Sequence, residues 1–287
     1  MIRAFVGEMF KTVRRPAIWV CIVVLLAVAV TIGYAIPWLI YSHPPSGSGQ
    51  GLPPGTTLAD FKVTLYPPNF VRLTLQQWSV LGGVFALIVG VLLQGSEYGW
   101  ATIKTLYIQR SGRLAMLAGK VGALAVVVLV LVLALFAVDA AASTFIALIE
   151  GQSLSYPEAT TTAKALAAMY LIFGFWSLLG LVLATLFRQS AMAIGLGLAY
   201  ALVIEALIFG LTASLAPNVV NPIRQWFPLT NATWLANSFG QARIRGFQTA
   251  TPAPYADPTH DVFVLGVYVL AFAVIAAWQL RRRDVTS

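Results

Sequence analysis

Six apolar runs, most of them close to the roughly 20 residues a helix needs to cross hydrocarbon, leave this chain of 287 residues little choice of fold. They are Ala17 to Tyr41, Gln77 to Leu93, Val121 to Ile149, Ala165 to Leu186, Ala191 to Leu215 and Val262 to Leu280. In hydrocarbon every backbone N–H and C=O must find its partner inside the protein, so such runs are predicted to be α-helices. The expected fold class is an all-α integral membrane protein with six transmembrane helices, built as a single transmembrane domain over 1–287. Composition agrees: 59% of residues are hydrophobic and 10% charged, the mean hydropathy is +0.82, and a soluble domain would carry about 25% charge.

Six crossings put both termini on one side, and Lys and Arg in the flanks decide which side that is. The side holding the termini has Arg3, Lys11, Arg14, Arg15, Lys104, Arg110, Arg113, Lys120, Arg188, Arg281, Arg282 and Arg283. The other has Lys62, Arg72, Lys164, Arg224, Arg243 and Arg245, spread over much longer loops. The termini are therefore expected in the cytoplasm, with the chain multi-pass in the cell (inner) membrane of a prokaryote. The excess of 18 Lys and Arg over 10 Asp and Glu serves orientation, and no nucleic-acid partner is implied. The single cysteine, Cys21, lies in an apolar run, so no intrachain disulfide is available.

Ahead of the first span, Ile2, Phe5, Val6, Met9, Phe10 and Val13 recur at helical spacing while Arg3, Lys11 and Arg14 face elsewhere. Residues 1–15 are thus predicted to be an amphipathic interfacial helix, with Pro16 biasing Arg15 away from helical geometry so that the chain turns there. The outer segment 42–76 has three Pro-Pro pairs and a GSGQG tract, which predicts an irregular exposed loop. The outer segment 216–261 mixes Trp226, Phe227, Trp234 and Phe239 with Asn and Arg. It is expected to form short interfacial or re-entrant helices before the last span, with a plug packed over the bundle as the alternative.

Catalytic chemistry finds little to work with. Gly119-Lys120 has Leu114 where a phosphate-binding loop needs its first glycine and Val121 where it needs Ser or Thr. His43 and His260 both fall outside the spans, so metal or haem ligation between helices lacks ligands. No nucleophile has a base beside it. No catalytic residue, metal or bound cofactor is expected of this chain, nor enzymatic activity.

Asp139 and Glu205 lie inside spans, where a charge costs at least about 2.5 kcal/mol. Counted along their helices, both fall in the outer half. Asp139, Ser143 and Glu150 share one helical face, and Glu205 shares another with Gly197, Ala201 and Thr212. Asp139, Ser143 and Glu205 are the candidate translocation path. The competing reading is that each carboxyl group is protonated or hydrogen-bonded and glues helices together.

Between the second and third spans, the connection 94–120 is unusually polar. It carries Glu97, Tyr98, Trp100, Thr102, Lys104, Tyr107, Arg110 and Arg113, enough to form a short amphipathic helix that grips a partner or lies on anionic lipid. The pattern Glu97, Tyr98, Gly99, Trp100, Ala101, Thr102, Ile103, Lys104, followed by Ser111, Arg113, Gly119 and Lys120, resembles the first cytoplasmic connection of type-2 permease subunits of ATP-binding-cassette exporters. Glu8 and Lys11 before Pro16 are also similar to that family's start, whereas Ala101 stands where the family usually has glycine. The resemblance implies a permease that works with a second copy or paralogue, docked on cytoplasmic ATPase subunits that hold the ATP and Mg. Residues 95–120 would be the coupling segment, with Trp100 and Tyr107 as packing anchors and Glu97, Lys104 and Arg110 setting register. Membrane lipid is the other expected partner.

The rival from another class is a self-contained ion-coupled carrier using Asp139 and Glu205. It predicts an inverted repeat with interrupted helices at matching positions; Pro37 in the first span has no counterpart in the fourth. A third reading is a membrane anchor or sensor that transports nothing.

Overall fold

The structure is a computed structural model describing residues 2–44, 57–99, 113–212, 217–240, 243–244, 247–248 and 257–282. Helix α1 (Ile2–Val13) is separated from α2 (Pro16–Ser42) by Arg15, held extended at φ −86° and ψ 109° because the residue before a proline disfavours helical backbone. Within α2, residues Ala29–Ala35 are π-helical. Pro37 accounts for this: it has no N–H and its ring crowds the carbonyl four residues back, so the preceding turn widens, with the Ile36 N–H reaching Thr31 O.

Two 3-10 turns, Leu58–Leu65 and Pro67–Asn69, lead into α3 (Phe70–Trp78) and α4 (Leu81–Gly99). The first turn starts at a capping box in which Thr57 and Asp60 satisfy each other's ends. Residues 70–76 were expected in an irregular loop, but Phe70, Val71, Thr74, Leu75 and Trp78 recur at helical spacing and are all buried. The Pro-Pro pair before them starts the helix instead of extending the loop. A 56° bend separates α3 from α4, and Trp176 Nε1 donates to Ser79 O at 3.1 Å, satisfying a carbonyl at the break.

The long helix α5 (Arg113–Ile149) stops at Gly151, whose φ of +64° lets the Gln152 N–H return to Ala147 O. Helix α6 (Ala159–Phe187) is closed by Arg188 in the left-handed region, at φ 54°. After that tight turn comes α7 (Ser190–Thr212), which has a π-helical turn at Tyr200–Ile204. Helices α8 (Pro217–Arg224) and α9 (Pro228–Asn237) follow, then two-residue strands β1 (Arg243–Ile244) and β2 (Phe247–Gln248), paired antiparallel, and finally α10 (Pro258–Arg282).

Five helices, α2, α5, α6, α7 and α10, are long and apolar enough to cross a membrane, and the bent pair α3–α4 makes a sixth if it counts as one span. The chain is thus a helical, multi-pass membrane protein. Helix α6 lies at the centre, and α4 crosses it closely enough that a Cβ on Gly90 would fall 1.9 Å from Ser177 O and one on Gly180 2.2 Å from Leu87 O. Small residues at a crossing let backbones approach in this way. The described part of the segment before the last span holds two short helices that differ in burial. Helix α9 is buried along nearly its whole length, against α3, α6 and α10, whereas Val219 and Ile223 of α8 and the following Trp226 are exposed.

Candidate functional site

Helix α4 reaches Gly99, so Glu97 and Tyr98 lie in its last turn, and Arg113 opens α5. Trp100, Thr102, Lys104, Tyr107 and Arg110 lie outside the described residues. What is described is the footing of that connection. Helix α1 packs along the start of α5, so tightly that a Cβ on Gly119 would meet the Ala4 backbone at 2.8 Å and one on Gly122 the Phe5 ring at 3.0 Å. Glu8, Thr12 and Lys120 are buried here. Lys11 Nζ pairs with Glu8 Oε1 at 2.5 Å, and Thr12 Oγ1 donates to Glu8 O. Arg15 then donates to the carbonyls of Leu92 and Leu93 at 3.2 and 3.1 Å. Helix α1 and the turn that follows it therefore touch both ends of the connection between α4 and α5. Its opposite side exposes Ile2, Val6, Phe10 and Val13, with the Arg14 guanidinium 4.0 Å above the Phe10 ring.

Asp139, in the C-terminal half of α5, is 0% exposed. Thr74 Oγ1 donates to its Oδ2 at 2.7 Å, which ties α3 to α5. Tyr34, in the π-helical part of α2, and Trp78 face the same carboxyl group, yet the Tyr34 hydroxyl, Trp78 Nε1 and Asp139 Oδ1 make no hydrogen bond of their own. Ser143, one turn on, is buried and donates to Ala140 O. At the end of this face Glu150 accepts from Lys62 Nζ at 2.9 Å and from Trp38 Nε1 at 2.9 Å, so the first 3-10 turn is pinned over the ends of α2 and α5. Both contacts hold the Glu150 carboxyl below the usual carboxylate range, Lys62 more than Trp38.

Glu205 has different company. The π-helical turn before it places Tyr200 five residues back on its own side, and Tyr200 Oη donates to Glu205 Oε2 at 2.8 Å. The Leu229 N–H donates to the same oxygen at 3.1 Å, and the N–H and hydroxyl of Thr230 reach Oε1 at 2.6 and 2.7 Å. These are first-turn donors of α9, which no intrahelical carbonyl can satisfy. Glu205 thus caps α9 from another helix, where the positive end of the helix dipole favours an acid. Gly197 and Ala201 share its buried face.

Two further polar groups, Arg72 and Asp261, were not legible as buried, and a third, Arg224, is half-buried. Arg72, expected on an outer loop, is 7% exposed in α3, and its Nε has no hydrogen-bond partner. The amphipathic spacing of FVRLTLQQW was the available signal. Asp261, one residue before the expected start of the last span, is 0% exposed with neither oxygen hydrogen-bonded. Arg224 lies over the rings of Phe209 and Trp234, 5.9 Å from each centroid. Among the described residues no cluster of three or more His, Cys, Asp or Glu could hold a metal ion.

Residues 71–286 match a family described as a protein of unknown function, DUF2705. The chain belongs to the DUF2705 family. The DUF2705 match begins inside α3 and takes in the bent pair, Asp139, Glu205 and α9, while α1 and α2 lie before it. No curated protein matches the chain significantly.

Proposed function

We propose that this DUF2705 protein is the permease subunit of an ATP-binding-cassette exporter, forming the translocation path and driven by separate cytoplasmic ATPase subunits that hold ATP and Mg. The reading places the chain in the inner membrane of a prokaryote, with cytoplasmic termini and α1 lying in the inner interface. The observation that carries it is the charged connection 94–120, whose Glu97 to Lys104 and Ser111 to Lys120 resemble a coupling segment. Its mechanical setting supports the same reading. The connection that would receive force is braced at both ends, on α4 by Arg15 in the turn after α1 and on α5 by the close backbone contact of α1 at Gly119. A push on the connection would then move α4 and α5 together. The close α4–α6 crossing would pass that movement to the centre of the bundle, since packed helices shift as rigid bodies. Hydrophobic or amphipathic cargo would move along the face between two permease copies.

Pull-down of the tagged full-length chain from native membrane tests this. The expected result is recovery of a soluble ATPase at one copy per permease, lost in Trp100→Ala and in Glu97→Ala, because buried aromatic anchors dominate such interfaces. Recovery of the chain alone, moving cargo under a proton gradient, would overturn it. A second reading, the ion-coupled carrier, is favoured by one observation: the buried Asp139 Oδ1, left without a hydrogen bond beside Tyr34 and Trp78. Glu205 does not favour it, because both its oxygens are taken up by α9 and Tyr200.

A further inference from the structure

A cavity of about 450 Å³, of the size that binds small ligands, opens between α7 and α9 beside Glu205 and Arg224. It brings together one cation and one acid that do not pair. The Glu205 oxygens already accept four hydrogen bonds, from Tyr200, Leu229 and Thr230. Arg224 has neither an ion pair nor a side-chain hydrogen bond among the described residues, and its Nε is buried and unpartnered. The guanidinium lies 5.9 Å from the centroids of two aromatic rings, Phe209 and Trp234. A guanidinium carries its N–H donors in its own plane, the geometry that grips a phosphate or carboxylate through two parallel hydrogen bonds. Leu202 lines the same cavity and is exposed.

We infer that this cavity binds an anionic amphiphile, its phosphate or carboxylate head on Arg224 and its aliphatic tail leaving past Leu202 toward hydrocarbon. The same chemistry is offered by an anionic lipid headgroup and by a free single-chain amphiphile. The inference stands apart from the permease reading, because it concerns binding alone and needs no ATPase.

Native mass spectrometry of the full-length chain in neutral detergent tests it, using phosphatidylglycerol against phosphatidylcholine in one arm and dodecanoate against dodecanol in the other. The expected result is one retained equivalent of anionic ligand, favoured over its neutral match by about tenfold or more, the usual weight of a charge-assisted hydrogen bond. Preference confined to phosphatidylglycerol identifies a lipid headgroup, and preference confined to dodecanoate a free amphiphile. Arg224→Gln should abolish the preference and Arg224→Lys keep part of it. Gly210→Leu fills the cavity while leaving Arg224 in place, and a Cβ at that position meets nothing within 4 Å; it should abolish retention in a chain with unchanged helicity. Equal retention of anionic and neutral ligands, or an anionic preference that survives either Arg224→Gln or Gly210→Leu, would overturn the inference.

Discussion

Glu205 offers two oxygens to four donors, and an amide in its place would turn an NH2 group against at least one N–H of Leu229 or Thr230. Burying a donor against a donor costs about 1–3 kcal/mol per unmet group. Glu205→Gln is therefore expected to destabilise the docking of α9 by about 2–3 kcal/mol, seen as a lower unfolding temperature in detergent and faster labelling of a cysteine placed on α9. Asp139 carries the opposite expectation. Its hydrogen-bond partner is the Thr74 hydroxyl, a donor, and the amide oxygen of Asp139→Asn accepts that bond equally well, so stability should change by less than about 1 kcal/mol. If Asp139 must exchange a proton during transport, the same variant loses cargo movement at unchanged stability; if it is only glue between α3 and α5, movement survives. Equal thermal losses in the two variants would show that hydrogen-bond count does not separate these two acids.

Helix crossings set the next scale. Gly90→Ala and Gly180→Ala each drive a methyl group into the backbone of the facing helix, at 1.9 and 2.2 Å from a carbonyl oxygen. Each should cost about 1–3 kcal/mol or more, measured by thermal unfolding, whereas Gly174→Ala on the same helix α6 meets nothing within 4 Å and should be nearly neutral. The first 3-10 turn answers to pH instead. Because the Glu150 carboxyl titrates below its ordinary value through Lys62 and then Trp38, the folded state binds fewer protons than the unfolded one near that value. The contact is then at full strength above the ordinary glutamate pKa of about 4.3 and is lost as pH falls through the lower folded value. Hydrogen exchange over 57–66, corrected for intrinsic rates, should rise between pH 5 and pH 3 in the wild type and be equally fast at both in Glu150→Gln. The sequence made the long crossings plain because apolar length alone decides them, and it placed Asp139, Ser143 and Glu150 on one face by simple periodicity. It could not reveal that Thr74 completes the Asp139 site, because α3 is short and follows a proline pair that reads as loop. Nor could it show Glu205 as a cap, since its donors lie 24 and 25 residues away on a helix whose docking is tertiary.

At the level of the whole chain, the bent pair decides parity. Five continuous helices qualify as spans, and an odd number would place α1 and the end of α10 on opposite sides. If α3 and α4 together cross once, the number is six and the two ends share a side. Charge favours six: α1 and the end of α10 both carry clustered basic residues, Lys11, Arg14 and Arg15 at one end and Arg281 to Arg283 at the other, and such clusters are retained in the cytoplasm. The 56° bend is compatible with a crossing because Trp176 satisfies Ser79 O at the break, and backbone irregularity at membrane depth is tolerated where protein buries it. The test starts from Cys21→Ser, which removes the single native cysteine, and introduces one cysteine at a time at Gly7, Asp257 or Ser287. A membrane-impermeant maleimide applied to intact cells should label Asp257→Cys alone, and permeabilised cells should add Gly7→Cys and Ser287→Cys together. Labelling of Gly7→Cys and Ser287→Cys from opposite sides would mean that α3 and α4 enter and leave by the same face, and the force path through 94–120 would then have to be abandoned with the six-span topology.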